Sequence, residues 1–416
     1  MSTITCAVTI DRSYARRVSN RTSNGVDGAG SRQASFGCPE LQAIFGVTLM
    51  AVLGVSTIAP ALPLIAESLE LSVAKVSLLI SAFTLPGVFL SAVAGVLADR
   101  FGRLRILIPG LLLFAAAGTA CCFTHDFGTL IVFRVLQGVG AAPIGTINVI
   151  LISDFFTGHE RTRAMGFNAS VLSVGTAAYP ALGGALALLA WYAPFSLALL
   201  AVPVAVIVVR RLGGAPRGSG GGLGGYFAGV WRVIRRFDVL VLFFSCTAIF
   251  VLLYGAYVSF VPFLMADRFG SGPFEIGVLM AGVSLATAVT AANLGRLSKR
   301  LGEARVLHLG FVVYAVALAG IPLAPSVWSL VIPAALLGSS FAATIPVVQV
   351  MLAEISPADH RGAVLSLNGT VLRLGQTIGP PLAALVYRAA GIDAVFYWGA
   401  LFALVLAGLT AATIRN

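Results

Sequence analysis

Gly95-Val-Leu-Ala-Asp99-Arg100-Phe-Gly102-Arg103 returns as Gly295-Arg-Leu-Ser-Lys299-Arg300-Leu-Gly302-Glu303, shifted by 200 residues, and each copy lies between two long apolar runs. The same offset superimposes Arg161 on Arg361, Asn168 on Asn368, Gly175 on Gly375 and Pro180 on Pro380. A repeat of that reach duplicates most of each half, and two such halves in a membrane enclose a path near its midplane.

The solvent is lipid. Of the 416 residues 58% are hydrophobic and 10% charged, against roughly 25% charged in a soluble domain. Hydrocarbon requires backbone groups to be bonded internally, and uninterrupted apolar stretches of about 20 residues indicate helices, not the alternating strands of a barrel. Twelve spans are predicted, near 43–64, 74–98, 104–123, 128–152, 164–189, 192–210, 239–264, 274–297, 304–324, 327–352, 363–387 and 394–414. The expected fold is all-α, with twelve transmembrane helices in two pseudo-symmetric halves of six. The chain divides into a disordered cytoplasmic tail (1–40), a first half (41–211), a cytoplasmic linker (212–237) and a second half (238–416).

Orientation follows from the 27 Lys and Arg residues, because basic loops stay cytoplasmic. With both termini inside, 22 fall on cytoplasmic segments and three, Lys75, Arg268 and Arg388, on outer loops, while Arg134 and Arg373 lie within spans. The net charge of +11 is thereby explained by membrane orientation, and nucleic acid is not an expected partner. Trp191, Trp328 and Trp398 fall at outer span ends, where indole prefers the headgroup boundary. The five cysteines show neither a disulfide framework nor metal spacing, and no metal or cofactor is expected.

The tail has no apolar run long enough for a signal peptide, so the first span is expected to direct insertion. Its Arg-rich composition faintly matches an organelle transit peptide, and an extension without function fits equally well. The stretch Gly213 to Gly225 contains G-x-G-x-x-G at Gly220, Gly222 and Gly225, but no strand precedes it, so a flexible linker is the expectation. Phe227, Val230, Trp231, Ile234 and Phe237 then recur at helical spacing beside Arg232, Arg235 and Arg236; a helix lying on the inner leaflet and an extension of span seven both fit.

Over residues 43–414 the chain resembles the major facilitator superfamily. The loop between spans two and three is similar to the family motif G-x-L-A-D-R-x-G-R-[RK], through Gly95, Asp99, Arg100, Gly102, Arg103 and Arg105, with Leu104 in place of a basic residue. The resemblance implies that Asp99, Arg103 and Asp154 latch the outward-facing state, with Gly95 allowing close helix approach. In the second copy Lys299 and Glu303 replace Asp99 and Arg103, and Arg300 with Glu354 is the candidate second latch. Arg134-Val-Leu-Gln137-Gly138 resembles the R-x-x-Q-G motif of proton-coupled members, where the Arg serves proton coupling or organises the central cavity. An Arg near mid-bilayer costs on the order of 3 kcal/mol on insertion scales, so it should face protein or a water-filled cavity.

Gly175-x-x-x-Tyr179-Pro180-x-x-Gly183-Gly184 is close to the family's exporter pattern G-x-x-x-G-P-x-x-G-G, and Gly375, Gly379, Pro380 and Pro381 repeat the theme in span eleven. Small residues and Pro make helices that pack tightly and bend; Tyr179 replaces the usual Gly. No Asp or Glu occupies the central third of any span. A cavity holding Arg134 and Arg373 without acids repels cations and favours neutral, zwitterionic or anionic substrates. Arg373 fits either the cavity or the cytoplasmic gate. Tyr254, Tyr257, Phe260 and Phe263 form an aromatic stripe, and Tyr179, Tyr254, Tyr257 and Arg373 are the candidate cavity residues, with Tyr314, Asn148, Asn168, Asn293 and Gln349 behind them.

No G-x-x-x-x-G-K-[ST] occurs, so an ion gradient, not ATP, is the expected energy source. Candidate proton carriers are Asp154, Glu354, Asp99 and His308. The resemblance implies proton-coupled efflux of small amphiphilic drugs across a bacterial inner membrane by alternating access, in a chain functional as a monomer. The alternative on the same fold is a metabolite or sugar exporter. An enzyme is not expected, because four scattered histidines form no catalytic set, and no soluble domain supports a sensor.

Overall fold

The computed structural model describes residues 34–213, 235–356 and 361–414. Among them, eleven helices are long and apolar enough to cross a membrane. They are α1 (Pro39–Ser68), α2 (Val73–Phe101), α3 (Arg103–Phe123), α4 (Phe127–Phe155), α5 (Gly158–Ala187), α6 (Ala193–Leu212), α7 (Phe237–Phe269), α8 (Pro273–Leu301), α9 (Glu303–Gly320), α10 (Trp328–Ile355) and α12 (Ile392–Thr413). A further helix of 30 residues, α11 (Arg361–Ala390), is as long but carries Arg373, Gln376 and two prolines. All twelve predicted spans are therefore helices. The tail before residue 34, most of the linker and the predicted inner-leaflet helix lie outside the described residues.

Prolines account for the irregular segments. In α1, Pro60 and Pro63 remove backbone donors, and the helix passes through a 3-10 turn at Ala59–Ala61. In α7, Pro262 cannot bond the Val258 carbonyl, and the preceding turn Leu252–Val258 widens into a π-helix in which Ser259 Oγ donates to the Tyr254 carbonyl at 2.6 Å.

Two apolar cores form, one from α1–α6 and one from α7–α12. Their packing repeats at the sequence offset: Leu107, Leu111 and Phe114 of α3 are buried in the first, and Leu307, Phe311 and Tyr314 of α9 in the second. Outer faces keep large apolar side chains exposed, among them Val132, Leu172, Val206, Val316, Ile332 and Leu404. Such faces belong against lipid, which offers apolar contact without competing for hydrogen bonds.

The halves meet through α5 against α8 and α2 against α11. At the end away from the basic loops these contacts are tight: a Cβ at Gly184 would overlap the Pro273 carbonyl, and one at Gly277 the Pro180 carbonyl. Ser81 Oγ donates to the Thr377 carbonyl at 2.8 Å, and Thr377 Oγ1 to Thr84 Oγ1 at 3.0 Å. Toward the basic end the same helices leave open space: Gly166 of α5, Gly295 of α8 and Gly369 of α11 have nothing within 4 Å of where a Cβ would stand. The molecule is closed at one end and splayed at the other.

Candidate functional site: a basic latch and a mid-membrane interface

A one-residue turn organises the basic end. α2 ends at Phe101 and α3 begins at Arg103, so Gly102 alone reverses the chain, at φ 102° and ψ 142°. That backbone region excludes residues with a Cβ. The turn returns Arg103 onto α2, where its Nη1 donates to Asp99 Oδ1, while Nε donates to Asp154 Oδ2 at 3.1 Å. Arg103 is 7% exposed and Asp154 21%, so the cation is shielded and pins the ends of α2, α3 and α4. Arg100 lies over the Phe101 ring at 5.6 Å and pairs with no acid among the described residues. Gly95 differs from its expected role: the nearest atom to its would-be Cβ is the Thr146 methyl at 3.6 Å, an ordinary contact. The tight α2–α4 crossing is at Gly138, where a Cβ would overlap the Phe83 carbonyl.

The second copy keeps the turn and loses the bridge. Gly302 reverses α8 into α9 at φ 81°, but Glu303 stands where Arg103 stood and lies within electrostatic reach of Glu354. No ion pair joins Arg300 to Glu354 among the described residues. Arg300 is exposed, as is Lys299. The candidate second latch is not formed among the described residues in this arrangement, open at the basic end, and an acid at 303 leaves two carboxylates where the first half has a salt bridge.

Arg134 is fully buried. Its Nε donates to the Leu79 carbonyl at 3.1 Å, and Nη1 to the Gly54 carbonyl at 2.9 Å and to Gln137 Oε1 at 2.7 Å. The Phe83 ring lies 4.4 Å from its Cζ and Phe195 6.0 Å. Nη2 has no partner among the described residues. Of the two surroundings expected for it, Arg134 has protein, and it ties α1, α2, α4 and α6 into one unit.

The small residues of α5 serve two contacts. Gly175 faces Leu49, 2.9 Å from its would-be Cβ, and Gly183 faces the Thr57 carbonyl, both within the first half. Pro180 and Gly184 form the seam with α8 across the halves. In α11, Gly379 packs on α7, where a Cβ would stand 2.8 Å from the Val251 carbonyl and 2.9 Å from the Gly255 nitrogen, while Pro380 is buried.

The four candidate cavity residues separate. Tyr179 is 7% exposed in the first core, and Tyr257 is 4% exposed in the second, within electrostatic reach of Tyr314. Both pack within the core of their own half in this arrangement. Tyr254 and Arg373 do come together: they lie within electrostatic reach of one another at the interface between halves. Arg373 extends from α11 between α2 and α4, against Gly87 and Gly145, so it occupies the interior and not the basic-end latch.

Asn148 and Asn168 are held by Thr48, which donates to Asn168 Oδ1 and accepts from Asn148 Nδ2 at 2.7 Å. This links α1, α4 and α5. Asn293 bonds its own helix at Val289, and Gln349 is exposed. Sequence reading missed Thr48, Ser81, Thr84 and Thr377, and the glycines 87 and 145. The signal available was small polar residues inside apolar runs, which lipid-facing positions avoid. An apolar recess of about 570 Å³ lies elsewhere, between α3 and α6. Leu112, Phe123, Leu199 and Val202 line it, and these belong to the outer face.

Comparison with known proteins places these features. The family model described as Major Facilitator Superfamily matches residues 44–264 and again 243–415. Multidrug resistance protein 2 of Bacillus subtilis (strain 168) is 25% identical over 345 residues, 81% of this chain and 86% of the relative. Quinolone resistance protein NorA of Staphylococcus aureus (strain Mu50 / ATCC 700699) is 23% identical over 342 residues, 80% of this chain and 86% of the relative. Among solved structures, the nucleoside transporter NupG superposes with a TM-score of 0.74 at 13% identity, covering 90% of this chain and 99% of that one. At that identity the likeness concerns the fold.

Proposed function

The chain belongs to the Major Facilitator Superfamily, and on that premise we propose that this multi-pass membrane transporter, which is not an enzyme, exports small amphiphilic drugs in exchange for protons. The observation that carries the reading is the pair of halves sealed through α5–α8 and α2–α11 at one end and open at the other. With the basic end in the cytoplasm, this is an inward-facing state ready to take a solute from inside. Rocking about the sealed seam would present the same midplane site to the outside. Drug export is supported by the names of the two resistance proteins and by the exporter pattern along α5.

A proton moving down about 150 mV releases about 3.5 kcal/mol, enough for an export gradient of several hundredfold at about 1.4 kcal/mol per tenfold. Asp99, Asp154, Glu354 and His308 are the candidate carriers. The first two share Arg103, while Glu354 faces another acid and His308 Nε2 is buried without a partner among the described residues.

The test is accumulation of a labelled neutral amphenicol and a labelled lipophilic cation in pump-deficient bacteria expressing the chain, with and without protonophore. Lower accumulation of the amphenicol, abolished by protonophore, is expected. Unchanged accumulation of both compounds, with counter-transport of sugars instead, would move the assignment to a metabolite exporter.

A further inference from the structure

Arg373 is the cation that the packing seats but does not satisfy. It lies twelve residues into α11, and its side chain crosses into the opposite half. A Cβ at Gly87, midway along α2, would overlap Nη1 and stand 2.9 Å from Cδ; a Cβ at Gly145 on α4 would stand 2.7 Å from Nη2. Two positions without side chains therefore form the seat. Arg134 donates to three acceptors. Among the described residues, by contrast, the Arg373 guanidinium donates to no carbonyl, hydroxyl or carboxylate, and only its backbone oxygen is bonded, by Thr377 Oγ1. Arg373 is partly exposed, and none of its nitrogens is a buried atom without a partner among the described residues, so its five donors are open to water and to a ligand that enters the space.

The position is the inner limit of the open space. One turn toward the closed end, Thr377 bonds Thr84 and Ser81 and seals α11 onto α2. One turn toward the basic end, Gly369 has nothing within 4 Å. A solute entering from the basic end thus meets Arg373 where the path stops, with Tyr254 within electrostatic reach of it. No Asp or Glu occupies the central third of any span, so no carboxylate of the chain at this depth competes with one that a ligand brings in place of water. A planar guanidinium fork matches a carboxylate through two parallel bonds.

We propose that Arg373 is the anion-docking residue of the transport site, taking the carboxylate of an amphiphilic substrate whose apolar body lies toward Tyr254. This rests on the export reading above and deepens it: of two amphiphiles with the same apolar body, the one bearing an acid group is held more tightly.

The test uses the purified full chain in lipid nanodiscs and equilibrium binding of 4-(pyren-1-yl)butanoate and its methyl ester, with uptake of both into everted membrane vesicles. Arg373→Gln is expected to weaken acid binding by about ten- to a hundredfold and to leave the ester within about twofold. Arg373→Lys should recover part of the loss. Gly145→Ala, which keeps the arginine but fills its seat, should lower acid binding in the same direction. Equal loss of acid and ester in Arg373→Gln would make the residue structural and overturn the proposal, as would unchanged acid affinity. Vesicles of the unaltered chain that take up neither compound would remove the export reading and this inference together. Ester uptake with an unselective Arg373→Gln variant would remove the inference alone.

Discussion

Arg103 at the start of α3 donates through Nε to Asp154 at the end of α4 across 3.1 Å, and with Asp99 it closes three helix ends around one shielded cation. Asp154→Ala leaves that cation with the more exposed acid. The expected loss is about 1–3 kcal/mol, between the values for exposed pairs and for buried ones. A double-mutant cycle on Arg103 and Asp154, followed by thermal unfolding in detergent, measures it; additive single losses would show that the pair does not interact.

The second half lacks this bridge because Glu303 replaces the cation and lies near Glu354. Glu303→Arg should pair with Glu354 and raise stability by about 1 kcal/mol, roughly 2–4 °C in unfolding temperature. An unchanged or lower midpoint would mean that the two acids are too far apart, or too well solvated, to matter.

Twelve helices were legible because apolar stretches of spanning length have few alternatives in lipid, and the 200-residue repeat tied the halves together. Helix ends were less legible. α5 starts at Gly158, six residues before its predicted boundary at 164, because Gly-His-Glu-Arg-Thr-Arg is helical while too polar for hydropathy to count it. The Arg103–Asp154 contact could be read from acid and base at helix ends. The acceptors of Arg134 could not, since the carbonyls of Gly54 and Leu79 have no sequence signature. The tyrosine stripe gave the right periodicity, but periodicity does not say whether a face turns to the interface or to its own core, which is why Tyr254 and Tyr257 part company.

Gln137 supplies the shortest hydrogen bond to Arg134, 2.7 Å. Gln137→Ala leaves one Nη1 hydrogen unpaired beside the orphaned Nη2, while Nη1 keeps the Gly54 carbonyl, and a loss of about 1–3 kcal/mol is expected. Gln137→Glu provides an acceptor of the same reach and should hold stability near the unaltered chain. The yield of monodisperse protein and its unfolding midpoint check both; equal behaviour of the two variants would show that the Gln137 bond contributes nothing.

Gly184 and Gly277 are the points where backbone meets backbone across the halves. Gly184→Ala should separate α5 from α8 and disfavour the closed end by about 1–3 kcal/mol, the usual scale of overpacking. Spin labels placed on the outer ends of α5 and α8 would report a longer mean distance and slower drug export. An unchanged distance distribution would show that the seam yields without opening.

Tyr179 is packed in the first core. Tyr179→Phe should leave drug export within about twofold, whereas Tyr254→Phe, beside Arg373, should alter substrate preference. Competition assays across a panel of acids and esters separate the two; a selective effect of Tyr179→Phe would return that residue to the transport path.

The two cations within the membrane share a property that concerns synthesis. Arg134 finds its carbonyls on Gly54 and Leu79, and Arg373 finds its seat at Gly87 and Gly145. Every one of those partners precedes its arginine in the chain. As the polypeptide emerges from the ribosome N-terminus first, each receiving surface is already embedded when the charged helix reaches the bilayer. Neither arginine has to wait in hydrocarbon for a helix not yet made, and the order of the genetic message thereby lowers a barrier that the finished fold no longer displays.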